Sequence, residues 1–153
     1  MIVERYSNID APTDQVWARV VTVEGINDEL RPWMTMSMPR GKESLTVDDI
    51  PIGEPVGRCW MRLFGVLPFD YDDLTIAELW PGRGFHEEST MLSMRLWRHE
   101  RTLEPDGAGT LVRDRLTFEV RAPLRLLSPI VAAGIGALFS HRQRRLQRHF
   151  GGR

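Results

Sequence analysis

The 153-residue chain contains one cysteine, Cys59, and one lysine, Lys42. A lone thiol can form neither an internal disulfide nor a thiolate metal cluster, so a reducing, cytoplasmic setting is expected. The four histidines (His86, His99, His141 and His149) show no metal-ligand spacing. His86-Glu87-Glu88 lacks the second histidine of a zinc-protease helix, so no metal is expected. Gly82-Arg83-Gly84 and Gly134-Ile135-Gly136 each fall short of a nucleotide-binding fingerprint, so no cofactor is expected either. The net charge of -1 leaves no basic surplus for a nucleic-acid binder. Long apolar runs are also missing. The longest, Leu126 to Phe139, has 14 residues including Ser128 and Pro129, short of the ~18–20 that span a bilayer. The opening, Met1 to Tyr6, carries Glu4 and Arg5 where a signal peptide needs an apolar core.

What remains is an ordinary globular composition, 42% hydrophobic and 27% charged, with no repeat, low-complexity tract or linker. A single domain over residues 1–153 is expected at this length. Ile2 to Ile9 reads as a strand. Pro12 then opens a helix with Val16, Trp17, Val20 and Val21 on its apolar face, and Ile26 to Arg31 makes a short second helix that Pro32 stops. From Lys42 to Arg121 the pattern turns to strands: Ser44–Val47, Val56–Phe64, Phe69–Leu79, Phe85–Met91, Arg95–Leu103 and Thr110–Arg121. Short Gly- and Pro-containing breaks between them favour an antiparallel meander. Ser128 and Pro129 start a long helix that runs to Phe150 and ends at Gly151. Such a helix must cover the apolar face of the sheet, which makes the fold class α+β.

The last two strands allow a register argument. Val112, Asp114, Leu116, Phe118 and Val120 share one face, and Trp97, His99, Arg101 and Leu103 share another. Bringing those faces together with a four-residue loop, Pro105 to Ala108, puts His99 opposite Asp114 and Trp97 opposite Leu116. On the outer face it sets Glu100 against Arg113, but also Arg98 against Arg115. An acid and a histidine are thus expected under the long helix, paired because unpaired burial costs several kcal/mol. They suit three roles: a structural pair, a polar anchor for a ligand, or a general acid–base couple.

The chain also resembles the START-like (SRPBCC) superfamily, in its polyketide cyclase/dehydrase and lipid-transport branch. The resemblance rests on Ile-Asp-Ala-Pro-Thr-Asp-Gln-Val-Trp (residues 9–17), Phe85, Trp97-Arg98-His99, Gly109-Thr110 with Asp114 beyond, and Leu138-Phe139-Ser140-His141-Arg142 through Leu146 to Phe150. That branch often has a second histidine where this chain has Arg101, and a Gly-Pro where it has Leu92-Ser93. The resemblance implies a helix-grip fold, with about six or seven strands curved around the C-terminal helix. It also implies a cavity between sheet and helix for a small hydrophobic molecule: a lipid, polyketide or aromatic metabolite. Trp97, Leu116 and Phe118 would line it from the sheet and Ile130, Gly134 and Leu138 from the helix, with His99 and Asp114 as its polar floor. Two alternatives stand beside the binding role. One is a cyclase, aromatase or dehydratase using His99 and Asp114; the other is an accessory module without an open cavity. Arg142, Arg144, Arg145 and Arg148 form the densest basic group, read as a solvated helix end or as a contact for anionic lipid headgroups. Asp70, Asp72 and Asp73 read as a solvated turn or bulge, or else as a divalent-cation or partner site, and Cys59 as an inert core thiol.

Overall fold

In the computed structural model, which describes residues 1–152, β1 (Ile2–Ile9) leads into α1 (Thr13–Val20) and α2 (Val23–Leu30). Pro12 stands at the N-cap of α1, and the Thr22 side chain accepts from Gly25 N to cap α2. Next come β2 (Met34–Met36), β3 (Pro55–Leu63), β4 (Leu67–Trp80), β5 (Gly84–Met91), β6 (Met94–Asp106) and β7 (Gly109–Val120), and then α3 (Ser128–Phe150). The strands form one seven-stranded sheet in the order β1-β7-β6-β5-β4-β3-β2, antiparallel at every pairing. Helix α3 packs on β1 and α2. This is the helix-grip α+β architecture.

Three expectations need correction. Ser44–Val47 is not a strand: a 3-10 turn occupies Val47–Asp49, where the Asp49 carboxylate accepts from Thr46 N and Oγ1 at 3.0 Å. The second strand is instead Met34–Met36, three residues that show no readable period. The β6–β7 register is also shifted by two. Asp106 pairs with Gly109, so the turn is only Gly107-Ala108, and His99 stands opposite Leu116 with Arg101 opposite Asp114. Gly107 takes φ +58°, the left-handed conformation that a tight hairpin turn demands and glycine adopts without strain. The shift places Arg98 opposite Thr117 and Glu100 opposite Arg115, which removes the opposition of Arg98 and Arg115. A shift of two preserves parity, so each side chain keeps its face.

The apolar core is split. One cluster joins Val16, Trp17, Ile76, Phe85, Leu103, Val112 and Leu146. The other joins Met91, Met94, Leu116, Phe118, Val120 and Phe139. On β7 the residue between the clusters is Asp114; on β6 they are His99 and Arg101; on β5, Glu87 and Ser89; on α3, Arg142 and Gln143. All of these are buried. A polar belt therefore crosses the inner face of the sheet.

Candidate functional site

Arg101 is at the centre of the belt. Its guanidinium donates to Asp114 from Nε (2.7 Å, to Oδ1) and Nη2 (2.9 Å, to Oδ2). It donates to Glu29 on α2 from Nη1 (2.7 Å) and Nη2 (3.0 Å). Arg142 on α3 adds a bond from Nε to Glu29 Oε2 at 2.9 Å. Asp114 also accepts from Gln143 Nε2 at 2.5 Å and from His99 Nε2 at 2.7 Å. The Gln143 carbonyl accepts from the Ser7 hydroxyl on β1. Because Asp114 is an ionised acceptor, His99 Nε2 donates to it, and the other ring nitrogen, Nδ1, stands 3.7 Å from Glu87 Oε2.

The electrostatics follow from this geometry. Burial alone would raise the Asp114 carboxyl, but the Arg101 charge and the bonds from His99 and Arg101 outweigh it and hold the group well below the usual carboxylate range. Burial likewise opposes the charge on Arg101, and Asp114 and Glu29 outweigh it, holding the guanidinium above its ordinary value. Glu87 also ends below its ordinary value, because His99 and its hydrogen-bonding neighbours overcome desolvation. Asp72 goes the other way: burial, reinforced by Glu87, raises its carboxyl well above the usual range. The same causes push the buried Cys59 thiol up to about 12, an unreactive value.

Beside the belt lies an internal cavity of about 100 Å³. Its apolar wall includes Trp97, Leu138, Phe139, Met61, Met91 and Leu74, and its polar side chains are Asp72, Glu87, His99 and Arg142. Met36 borders both this cavity and a wider surface groove of about 810 Å³. The groove is open to solvent, whereas the cavity has buried polar groups facing it, so the chemistry points to the cavity.

The structure thus brings Trp97, His99 and Leu138 to the cavity and leaves the other expected residues outside it. Asp114 is fully buried behind His99, saturated by its donors. Leu116 and Phe118 are covered core residues, their cross-strand partners shifted by two residues from those expected. Ile130 and Gly134 lie on the outer side of α3, because the inward face follows Ile135, Phe139, Arg142, Gln143 and Leu146. The basic group is likewise not one patch. Arg142 is buried against Glu29, and Arg145 is held by Asp28 at 2.9 Å, so only Arg144 and Arg148 stand exposed. Nor are Asp70 and Asp72 solvated: both point inward from β4.

Glu29, Asp72 and Glu87 were missed as site residues. Asp72 shares parity with Leu74 and Ile76, and Glu87 with Phe85 and Met91, so both were visible in the alternation. Glu29 depends on how α2 docks, for which no sequence signal exists.

Asp114→Asn is expected to lower stability at pH 7 by about 3–5 kcal/mol, since it strips a charge from buried Arg101. The folded-state carboxyl is depressed, so its stabilisation is complete above the unfolded value near pH ~4 and is lost as pH falls below that. Urea unfolding from pH 7 to pH 3 should show a shallower acid loss in the variant. An unchanged slope would contradict the assignment.

The sequence matches the family described as "Domain of unknown function (DUF8410)" over residues 7–150. No curated protein is matched by the sequence. Among solved structures, a START superfamily protein from Mycobacterium smegmatis is similar at 13% identity and TM-score 0.70, over 97% of this chain and 96% of that one. A protein from Chromobacterium violaceum is similar at 11% identity and TM-score 0.70, over 98% and 97% of the two chains. A protein described as a putative product of the dynemicin biosynthetic locus is similar at 16% identity and TM-score 0.60, over 98% of this chain and 48% of that one. With residues 7–150 matched and the helix-grip architecture shared across the whole chain, this protein belongs to the DUF8410 family and has the START-like (SRPBCC) fold.

Proposed function

We propose that this protein binds a small hydrophobic molecule in the cavity between sheet and α3. The observation that carries this reading is an apolar pocket with a buried polar end, bounded on one side by α3. Its volume of about 100 Å³ is below the ~300–1,000 Å³ of sites for drug-sized ligands. The ligand is therefore a compact lipid fragment or single-ring metabolite. A multi-ring polyketide would enter only if Met36, Met61 or Met91 moved aside, as unbranched methionines can. The enzyme reading draws less support, because Asp114 accepts from three side chains and faces no free space, so it cannot serve as a cavity base.

Titration with indole, a neutral apolar probe, should shift the amide NMR signals of Trp97, Leu138 and Phe139. Leu138→Trp, which fills the cavity from α3, should abolish those shifts. Unshifted signals in the native protein would contradict the binding role and support an accessory module with a closed core.

A membrane surface is the second partner we propose, at a different place from the Arg142–Arg148 segment. Alternating strand directions bring the β3–β4 tip, the β5–β6 turn, the start of β2 and the β7–α3 link to one end of the sheet. That end exposes Trp33, Phe64, Val66 and Leu67, and on the α3 side Leu126 (96% exposed) and Ile130 (71%). Arg31, Arg95, Arg121 and Arg125 stand exposed around them, against Glu119 and Glu43. Aromatic and apolar tips ringed by arginine suit the interface of an anionic bilayer. The Ala122–Phe150 helical segment is long and apolar enough to cross a bilayer, and only 17% of its most apolar stretch is buried. The 14-residue run fell short of that length because the apolar stretch also takes in Ala122, Pro123 and Leu124 upstream, across Arg125.

The protein should co-sediment with phosphatidylglycerol-containing vesicles and not with pure phosphatidylcholine. Leu126→Ser/Ile130→Ser should lose at least ~10-fold in that binding, since each exposed side chain inserts apolar area. Equal binding by the variant, or a stable dimer that covers this end, would overturn the proposal.

A further inference from the structure

The belt holds more carboxyls than guanidiniums. Four carboxyls meet there, Glu29, Asp72, Glu87 and Asp114, against the guanidiniums of Arg101 and Arg142 and the imidazole of His99. Arg101 serves Asp114 and Glu29, Arg142 serves Glu29, and His99 lies between Asp114 and Glu87. None of them reaches Asp72. Asp72 is 5% exposed, and its Oδ1 has no hydrogen-bond partner. It lines the cavity together with Glu87. The groups facing this space from other elements cannot fill the vacancy. Cys59 on β3 stays a neutral thiol, and the Ser89 hydroxyl on β5 donates to Glu87. Arg142 on α3 is turned to Glu29 and lies over the Phe139 ring at 4.7 Å.

We infer that the cavity selects a small amphiphile with a cationic head, a primary alkyl- or arylalkylammonium, seated between Asp72 and Glu87. The inference rests on the cavity being a ligand site. Without a ligand, burial and the neighbouring Glu87 charge favour the protonated form of Asp72. When the ammonium enters, the Asp72 proton leaves to solvent and the ion pair takes its place: one proton out, one cation in. The ammonium supplies three donors for Asp72 Oδ1 and the Glu87 carboxylate, and its apolar body lies against Trp97 and Phe139. An alcohol supplies one donor and no charge. A carboxylate would add a fifth carboxyl group to a buried site, so fatty-acid-like ligands are rejected.

The test is calorimetry on the intact protein at pH 7 with four probes of similar shape: benzylamine, benzyl alcohol, benzoate and toluene. Benzylamine is expected to bind at least ~10-fold more tightly than benzyl alcohol, consistent with one added charge-assisted hydrogen bond. Benzoate is expected not to bind. Paired buffers of different ionisation enthalpy should show about one proton released per benzylamine bound. Asp72→Asn should bring benzylamine down to the level of benzyl alcohol while toluene binding persists, and Glu87→Gln provides the same comparison if Asp72→Asn fails to fold. Toluene and benzyl alcohol binding with no preference for benzylamine, or with no proton release, would overturn the cationic-head inference and leave the cavity reading standing. Failure of all four probes would overturn both.

Discussion

A buried guanidinium is tolerated only where carboxylates surround it, because stripping water from a charge costs several kcal/mol that pairing must offset. Arg101 meets that condition through two bidentate contacts that join different parts of the fold. Asp114 ties it to the neighbouring strand, Glu29 ties it to α2, and Arg142 carries the chain of charges into α3. Each partner is needed by the next. Slipping β6 against β7, undocking α2 or rotating α3 would leave an unpaired charge inside the protein. The helix-grip arrangement is thereby pinned by a polar network as well as by apolar burial.

That network has a spatial consequence. Apolar side chains on either side interdigitate, but the belt must keep its hydrogen-bond distances, and close packing fails along its edge. The cavity opens there, with Trp97 and Phe139 on one side and Asp72 and Glu87 on the other. Asp114 and Arg101 are satisfied and serve the architecture. Asp72 is unsatisfied and faces the space. Satisfied and unsatisfied polar groups thus stand next to each other in one belt and are told apart by their hydrogen-bond partners.

Much of the architecture was legible in the sequence. The long helix announced itself by Pro129, its three- and four-residue apolar steps and Gly151, and the meander by its Gly and Pro breaks. Parity placed His99 and Asp114 on one inner face, and that holds even though the register moved by two. The register missed because Pro105 reads as a turn residue, when it lies in the strand and Gly107 makes the turn. The clash of Arg98 with Arg115 in the expected register was the available warning. Arg142 looked like surface because it sits in an arginine-rich run, yet it lies three residues beyond Phe139 and four before Leu146, on the inward face of α3. Glu29 could not be found from the sequence, since its role arises only when a short helix meets a strand 72 residues away.

The central claim is that the contact between Arg101 and Glu29 holds α2 to the sheet. A double-mutant cycle by urea unfolding, with Glu29→Gln, Arg101→Gln and the pair, measures it directly. Each single variant should be strongly destabilised and the pair much less so than their sum, with a coupling of about 2–3 kcal/mol. Additivity within about 0.5 kcal/mol would mean that the two charges do not depend on each other, and would contradict the account.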